Sequence, residues 1–175
     1  MKKLLFLFII IILSGCAKHD LIQYQKNKPN FSLFDYFNGN TTGWGIVQDR
    51  QGRLTRQFVV QIVGTVEGDT LTLVEDFDWS DGAEERRIWN ITKIDDHIFT
   101  GTANDVVGEA AGEKYGNVLH WQYFLNIEVD DSRWKIHLDD WMFLQSDDVL
   151  INKTRMSKFG FHLGDITITF KKTKG

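Results

Sequence analysis

The sequence has a single cysteine and a single proline among its 175 residues. One cysteine cannot form an intramolecular disulfide, so packing must stabilise any folded domain. Basic side chains form no stripe along which a phosphate backbone could run, and the formal net charge is −4 at pH 7, so nucleic acid is not an expected partner. The longest apolar run, residues 4–13, is about half the length of a membrane-spanning helix.

Motifs for a metal or a cofactor are missing as well. The five histidines include no HExxH spacing. The acidic stretch that begins at Asp76 fails as an EF-hand, because its sixth and twelfth positions hold Asp81 and Arg87 instead of Gly and Glu. A nucleophile elbow, a Walker loop and a dinucleotide fingerprint are also absent. We therefore expect neither a metal nor a cofactor.

The N-terminus does carry a strong signal. Lys2 and Lys3 precede the apolar run, and LSGC follows at 13–16. This arrangement resembles the bacterial lipobox, in which signal peptidase cuts before a cysteine that receives a diacylglycerol. The resemblance implies a signal peptide over residues 1–15 and a lipidated Cys16 whose acyl chains, palmitate among them, anchor the protein to a membrane.

The residue after the lipidated cysteine bears on location. Ala17 follows Cys16, whereas an Asp there would retain an enteric-type lipoprotein in the inner membrane. We therefore expect an envelope lipoprotein at the outer membrane, facing the periplasm. Residues 16–30 are mostly polar, which predicts a tether of roughly a dozen residues. Residues 31–175 are then the folded domain.

The folded domain alternates between short turn sequences and runs of β-branched and aromatic residues. Short links between successive strands make them antiparallel neighbours, which predicts an all-β, up-and-down, lipocalin-like barrel, with a β-sandwich as the alternative. Residues 106–114 are expected to form a loop or a brief helical turn. The nine candidate strands span 43–49, 55–66, 70–79, 84–94, 97–106, 117–129, 133–144, 148–156 and 163–172.

Two adjacent aspartates, Asp139 and Asp140, interrupt an apolar strand. Neighbouring strand residues point to opposite faces, so these two carboxylates should not act together on one substrate. Asp140 shares the apolar face with Leu138 and Met142. We expect it to find an Arg, Lys or backbone N–H partner there, with Arg87 and Arg155 as the first candidates.

A second inward carboxylate follows from the turn at 80–82. A three-residue loop ending with Gly82 in the left-handed conformation pairs 75 with 87 across the hairpin. We therefore predict an ion pair between Glu75 and Arg87 on the apolar face, where a lone carboxylate would be costly.

Seven residues are the candidates for interior polar groups or ligand contacts. Gly101 and Ala103 precede the candidate Asp105 at alternate positions. Such small inward residues either leave volume for a ligand or relieve crowding in a tapering barrel. The candidates are Glu75, Arg87, Asp105, Tyr115, Trp121, Asp140 and Asn152.

An ordered set of short motifs is similar to a known family. The set resembles the bacterial lipoproteins catalogued as domain of unknown function 3833, over about residues 31–172. The resemblance implies no activity and no catalytic residues. It rests on FNG at 37–39, GWG at 43–45, DR at 49–50, EDF at 75–77, RIW at 87–89, GTANDVVG at 101–108, DDWM at 139–142, INK at 151–153 and KFG at 158–160.

There is also a looser likeness to lipocalins. Their first strand carries Gly-x-Trp, in which the Trp closes the base of the barrel. Here Gly43-Trp44-Gly45 departs from that spacing by one residue.

Three functions are compatible with these features. The favoured one is a non-catalytic barrel that binds a lipid or another apolar small molecule. The second is a structural or assembly lipoprotein that binds an envelope protein. The third is an enzyme acting on envelope lipids or glycans through interior carboxylates, with Glu75, Asp105 and Asp140 as candidates and Arg87 as their electrostatic partner. Alternation does not tell a hollow barrel from a filled one.

Overall fold

The computed structural model describes residues 20–129 and 132–173, and the residues of the expected signal peptide and Cys16 lie outside this part. Ten strands form a closed antiparallel barrel in which each strand pairs with its sequence neighbours and the last pairs with the first. The up-and-down barrel is confirmed. The strands are β1 (Gly39–Asp49), β2 (Leu54–Glu67), β3 (Thr70–Trp79), β4 (Glu84–Lys93), β5 (Ile98–Ala103), β6 (Ala110–Tyr115), β7 (Val118–Val129), β8 (Ser132–Leu144), β9 (Val149–Lys158) and β10 (Phe161–Lys172).

The strand count exceeds the prediction by one. Residues 110–115 form β6, which pairs with β5 and β7, although a loop or a brief helical turn was the expectation for residues 106–114. Alanine, glycine, glutamate and lysine have little strand preference, so this segment is extended because the barrel needs a strand between its neighbours. A barrel of ten strands is also wider than the eight-stranded lipocalin barrel.

A short helix covers one end of the barrel. Ser32 caps α1 (Leu33–Phe37), and the backbone N–H of Phe31 donates to the carbonyl of Gly116 at 2.7 Å. The hydroxyl of Tyr36 donates to the carbonyl of Asp148 at 2.9 Å. Phe31, Leu33, Tyr36 and Phe37 are buried, so this end of the barrel is filled by the chain that leads into β1.

The segment just before α1 also contacts the barrel. Residues Leu21–Tyr24 form a 3₁₀ turn next to β6 and β7, and Leu21 is buried. The described end of the expected tether, residues 20–30, is therefore in contact with the domain. A second 3₁₀ turn spans Ser146–Asp148 between β8 and β9. In the part of the chain that the structure describes, no helix has the length and apolarity to span a membrane.

Side chains alternate between the barrel interior and its outer surface. In β7 the residues Leu119, Trp121, Tyr123 and Leu125 are buried while Phe124 faces outward, as the sequence pattern predicts. Trp44 in β1 is 51% exposed, so it does not close the barrel base. That role belongs to the aromatic residues around α1, which agrees with the departure from the lipocalin spacing.

Candidate ligand-binding cavity

The barrel interior contains a cavity of about 140 Å³. Its wall is mainly aromatic and aliphatic, and Leu33 and Phe37 of α1 form part of it. Among the described residues, five of the seven predicted candidates line this cavity, namely Glu75, Arg87, Trp121, Asp140 and Asn152. Alternation and hairpin register place all five on the inner face of the barrel, so their side chains line the same cavity.

Arg87 is held mainly by Asp105. β3 and β4 pair Glu75 with Arg87, which confirms the predicted register. However, Arg87 Nη1 lies 4.0 Å from Glu75 Oε2, whereas Nη2 lies 2.7 Å and Nε 2.9 Å from Asp105 Oδ2. Asp105 follows β5 and does not line the cavity itself. The guanidinium therefore lies towards the barrel wall. It donates two hydrogen bonds to Asp105, which makes Arg87–Asp105 a stronger pair than Arg87–Glu75.

Asp140 has different partners from those expected. Asp140 is 4% exposed, and neither Arg87 nor Arg155 forms an ion pair with it in the described part of the chain. Arg155 pairs in register with Asp139 and is exposed on the outer face. The hydroxyls of Thr154 and Tyr123 donate to the Asp140 carboxylate instead. The prediction of a basic or backbone partner was therefore wrong, because Arg87 is already committed to Asp105.

The two cavity carboxylates are shifted towards their protonated forms. Burial raises the pKa of Asp140 to about 7, and the hydrogen bonds from Thr154 and Tyr123 only partly oppose that rise. Burial likewise raises the pKa of Glu75 to about 7, against the attraction of Arg87. Burial also raises the pKa of Tyr123 well above its usual value, so this phenol remains a donor. Near neutral pH the cavity wall can thus gain or lose protons.

A short polar chain runs along the wall from β9 to β8. Asn152 is 3% exposed, and its Nδ2 donates to Thr154 Oγ1 at 3.2 Å. Thr154 pairs in register with Asp140 and donates to it. The Oδ1 atoms of Asp140 and Asn152 are buried and accept no hydrogen bond from the described residues. When Asp140 is ionised, these two oxygens are acceptors to which no described residue donates.

Trp121 accounts for the small inward residues. Side chains added at Gly101 or Gly112 would collide with the Trp121 ring, which lies only 2.8 Å from the Cβ position of Gly101. Of the two roles expected of the small residues, relief of crowding is the one found beside Gly101, because the indole partly fills that space. Trp121 also packs edge-to-face on Trp89 at 5.7 Å between ring centroids. It both fills the core and bounds the cavity that remains.

Tyr115 does not belong to this constellation. It lies at the end of β6, half-buried, and its ring stacks on His97 with 4.3 Å between centroids. Tyr115 does not line the cavity, so its proposed place in the interior is corrected. Tyr115 belongs to no predicted strand, whereas in β6 the alternate residues Ala110 and Gly112 face inward, so Tyr115 faces outward.

The sequence reasoning left out two polar residues of the wall, Tyr123 and Thr154. A signal was present for both. Tyr123 alternates with Trp121 on the apolar face, and Thr154 follows Asn152 by two residues, so the period-two pattern places both hydroxyls inward.

Outside the cavity, several close acid–base pairs lie on the outer face, and one of them joins β7 to β8. His120 Nε2 lies 2.6 Å from Asp139 Oδ1, and the His120 ring stacks on Trp141. Within residues 20–129 and 132–173, no three His, Cys, Asp or Glu side chains converge as a metal site would require. This pair is best described as a surface contact between β7 and β8.

Comparison with known proteins adds a family but no activity. Residues 10–172 match the family model described as protein of unknown function (DUF3833). No curated protein matches the chain.

Proposed function

Because this chain belongs to DUF3833, a family of unknown function, we propose its function from the barrel itself: it is a non-catalytic protein that binds an apolar small molecule. The observation that carries the proposal is the cavity in the barrel interior, which has a mainly apolar wall and a few converging polar groups. Such walls are typical of sites that bind small molecules.

The size of the cavity limits the ligand. Its volume of about 140 Å³ is below the roughly 300 Å³ at which sites for drug-sized ligands begin. It is close to the roughly 150 Å³ of an engineered apolar cavity that binds benzene. The enclosed part of the ligand therefore has about six carbons, as a small ring or as one end of a longer chain.

The positions and partners of the interior carboxylates favour binding over catalysis. Of the three that could serve an enzyme, Asp105 is bound to Arg87 and lies outside the cavity wall. Glu75 and Asp140 remain, and the only basic residue beside them among the described lining residues is the same Arg87. A cavity with two carboxylates and one arginine that is already paired is better suited to holding a ligand than to activating it.

A matched pair of variants tests the proposal. Val60 faces the cavity, while Val63 on the same strand is 51% exposed. The protein is purified from its own membranes in detergent and examined by native mass spectrometry for a bound small molecule. Val60→Phe should lose the bound mass and Val63→Phe should keep it. Wild-type protein without any bound molecule, and unable to bind added hexane, would refute the proposal.

The membrane anchor is a separate part of the proposal. We infer attachment to the outer membrane through lipidated Cys16, facing the periplasm, from the sequence at 13–16 and from Ala17. Cells fed labelled palmitate should incorporate the label into the wild type and not into Cys16→Ala. Equal labelling of the two proteins, or no label in the wild type, would exclude lipidation at Cys16.

An exposed aromatic hairpin favours a second candidate, docking on an envelope protein. This aromatic hairpin is the turn Lys158–Phe161 between β9 and β10, where Phe159 is 90% and Phe161 76% exposed. Lys158 lies 3.4 Å above the ring of Trp134. Exposed aromatic residues beside a basic residue fit an apolar pocket with an acidic rim.

Crosslinking from intact cells tests this candidate. A photo-crosslinking residue in place of Phe159 should give one discrete protein adduct, and the exposed Thr65 of β2 serves as the control position. The adduct should disappear when Phe161→Ser is added. Recovery of monomer alone would exclude the candidate.

A further inference from the structure

The two buried oxygens without donors point to the chemistry of the ligand. Asp140 Oδ1 and Asn152 Oδ1 are buried, and no described residue donates a hydrogen bond to either. A buried acceptor that has lost its water and gained no donor is unfavourable. Both residues line the cavity, which is the space from which a donor can reach them.

The two acceptors are close to each other on the wall. β8 and β9 pair Asp140 with Thr154 and Met142 with Asn152, so the two residues are diagonal neighbours on one face. The nearby donors are already used: Asn152 Nδ2 donates to Thr154, and the hydroxyls of Thr154 and Tyr123 donate to Asp140. Rotation of a neighbouring hydroxyl would satisfy one acceptor only by depriving another.

The wall offers little to an anionic ligand. Among the described lining residues Arg87 is the only basic one, and its guanidinium lies 2.7 Å from Asp105 and 4.0 Å from Glu75. A carboxylate in the cavity would meet two carboxylates of the wall and no cation without a partner. Like charges at close range in a low-dielectric site repel strongly.

We propose that the cavity selects an apolar ligand whose polar end is a hydrogen-bond donor, a hydroxyl or a protonated amine, held by Asp140 and Asn152, and that it rejects carboxylates. This inference rests on the proposed binding function. Burial that raises the pKa of Asp140 to about 7 gives a way to tell the two donors apart. An ammonium group should bind more tightly as Asp140 and Glu75 ionise, since burial raises the pKa of Glu75 to about 7 as well, whereas a hydroxyl group should depend less on pH.

Four ligands with the same six-carbon chain test the selection: hexan-1-ol, hexylamine, hexanoate and hexane. Binding to the full-length protein in detergent is followed by the fluorescence of the tryptophans that line the cavity. At about pH 8 we expect hexan-1-ol or hexylamine to bind at least about tenfold more tightly than hexanoate and more tightly than hexane. Repeating the titration at about pH 5.5 separates amine from alcohol.

The outcomes separate this inference from the proposed function. Equal affinity for all four ligands, or tightest binding of hexanoate, would overturn the donor selection while leaving a binding barrel. Binding of none of them, hexane included, would remove the binding function as well. A preference for the donor ligands supports both.

Variants of Asp140 and Asn152 test whether these two residues cause the selection of donor ligands. Asn152→Leu should reduce the preference for hexan-1-ol over hexane by about fivefold or more, since one acceptor is gone. Asp140→Asn should reduce the preference for hexylamine over hexan-1-ol, and the remaining preference is due to Glu75, which also lines the cavity. Asp139→Asn on the outer face is the matched control and should change neither ratio. Hexane binding reports whether each variant retains a folded cavity, and an unchanged ratio in a variant that binds hexane would overturn the assignment.

Discussion

Arg87 Nη2 lies 2.7 Å from Asp105 Oδ2, and this contact links the strand β4 to the loop that follows β5. The same guanidinium lies 4.0 Å from Glu75 on β3. One cation thus balances two largely buried carboxylates, and its Nη2 also lies 3.6 Å from the half-exposed Glu85. Loss of the cation would leave both without compensation, and this is the most costly way to break such a cluster.

Replacement of Arg87 should therefore destabilise the barrel strongly. We expect Arg87→Met to lower the free energy of unfolding by about 3 kcal/mol at neutral pH. Arg86 is the matched control, because it points outward, is 65% exposed and pairs with Asp76 on the surface. Arg86→Met should cost less than about 1 kcal/mol. Urea unfolding of the two variants measures the difference, and equal losses would contradict a structural role for the interior cluster.

The stability of the protein should also depend on Asp140 in a pH-dependent way. Burial raises the pKa of Asp140 from 3.8 to about 7, so between these values the folded state binds more protons than the unfolded state. Stability therefore falls as the pH rises through this window, and the cost is complete above about pH 7. This direction is opposite to that of a carboxylate held in a strong ion pair.

Asp140→Asn should remove that cost. We expect the variant and the wild type to differ little near pH 4, and the variant to be more stable by on the order of 3 kcal/mol above about pH 8. Asp139→Asn, which changes the neighbouring residue on the outer face, should gain no stability at high pH. Thermal unfolding across this pH range tests the prediction. A constant difference between Asp140→Asn and wild type at all pH values would contradict it.

The position of these charges could be predicted in part. Alternation along β8 and the turn at 80–82 are local features, so they placed Asp140 inward and Glu75 opposite Arg87. The choice of Asp105 as the main partner of Arg87 depends on how β5 ends and on how the barrel closes. No local pattern carries that information, which is why the partner of Asp140 was also missed.

The filling of the interior was harder still to foresee. Trp121 occupies the space beside Gly101 and Gly112 on two neighbouring strands, so small residues that could leave ligand volume or relieve crowding do the latter and make room for an indole. β6 itself, with Ala110 and Gly112, has weak strand preference and forms through its pairing with β5 and β7. Tertiary packing determines both the filling of this space by Trp121 and the formation of β6, and a period-two pattern predicts neither of them.

The close approach of Trp121 and Gly112 makes a direct prediction. A Cβ at Gly112 would collide with the Trp121 ring. Gly112→Ala should therefore lower the free energy of unfolding by about 1–3 kcal/mol, as overpacked cores do. The smaller ring of Trp121→Phe should relieve the collision, so the double variant should be more stable than the sum of the two single losses. Simple additivity in urea unfolding would contradict the packing described.

The aromatic hairpin gives the last prediction. Phe159 and Gly160 have φ of 51° and 82°, and they form the two-residue loop between β9 and β10. Left-handed backbone is unfavourable for Phe and well tolerated by Asn, and Asn-Gly is the preferred pair for such a loop. Phe159→Asn should therefore raise the free energy of unfolding by about 0.5–1 kcal/mol.

Phe161 provides the control for this effect. It is also exposed, at 76%, but it lies at the first position of β10 and its φ is not positive. Phe161→Asn should bring no gain, because Asn is a poor strand residue. Urea unfolding of the two variants tests the difference. If Phe159→Asn stabilises the barrel and also abolishes the crosslinked adduct, then Phe159 is retained at a cost in stability because it serves binding. If it stabilises the barrel and leaves the adduct unchanged, Phe159 has no part in docking.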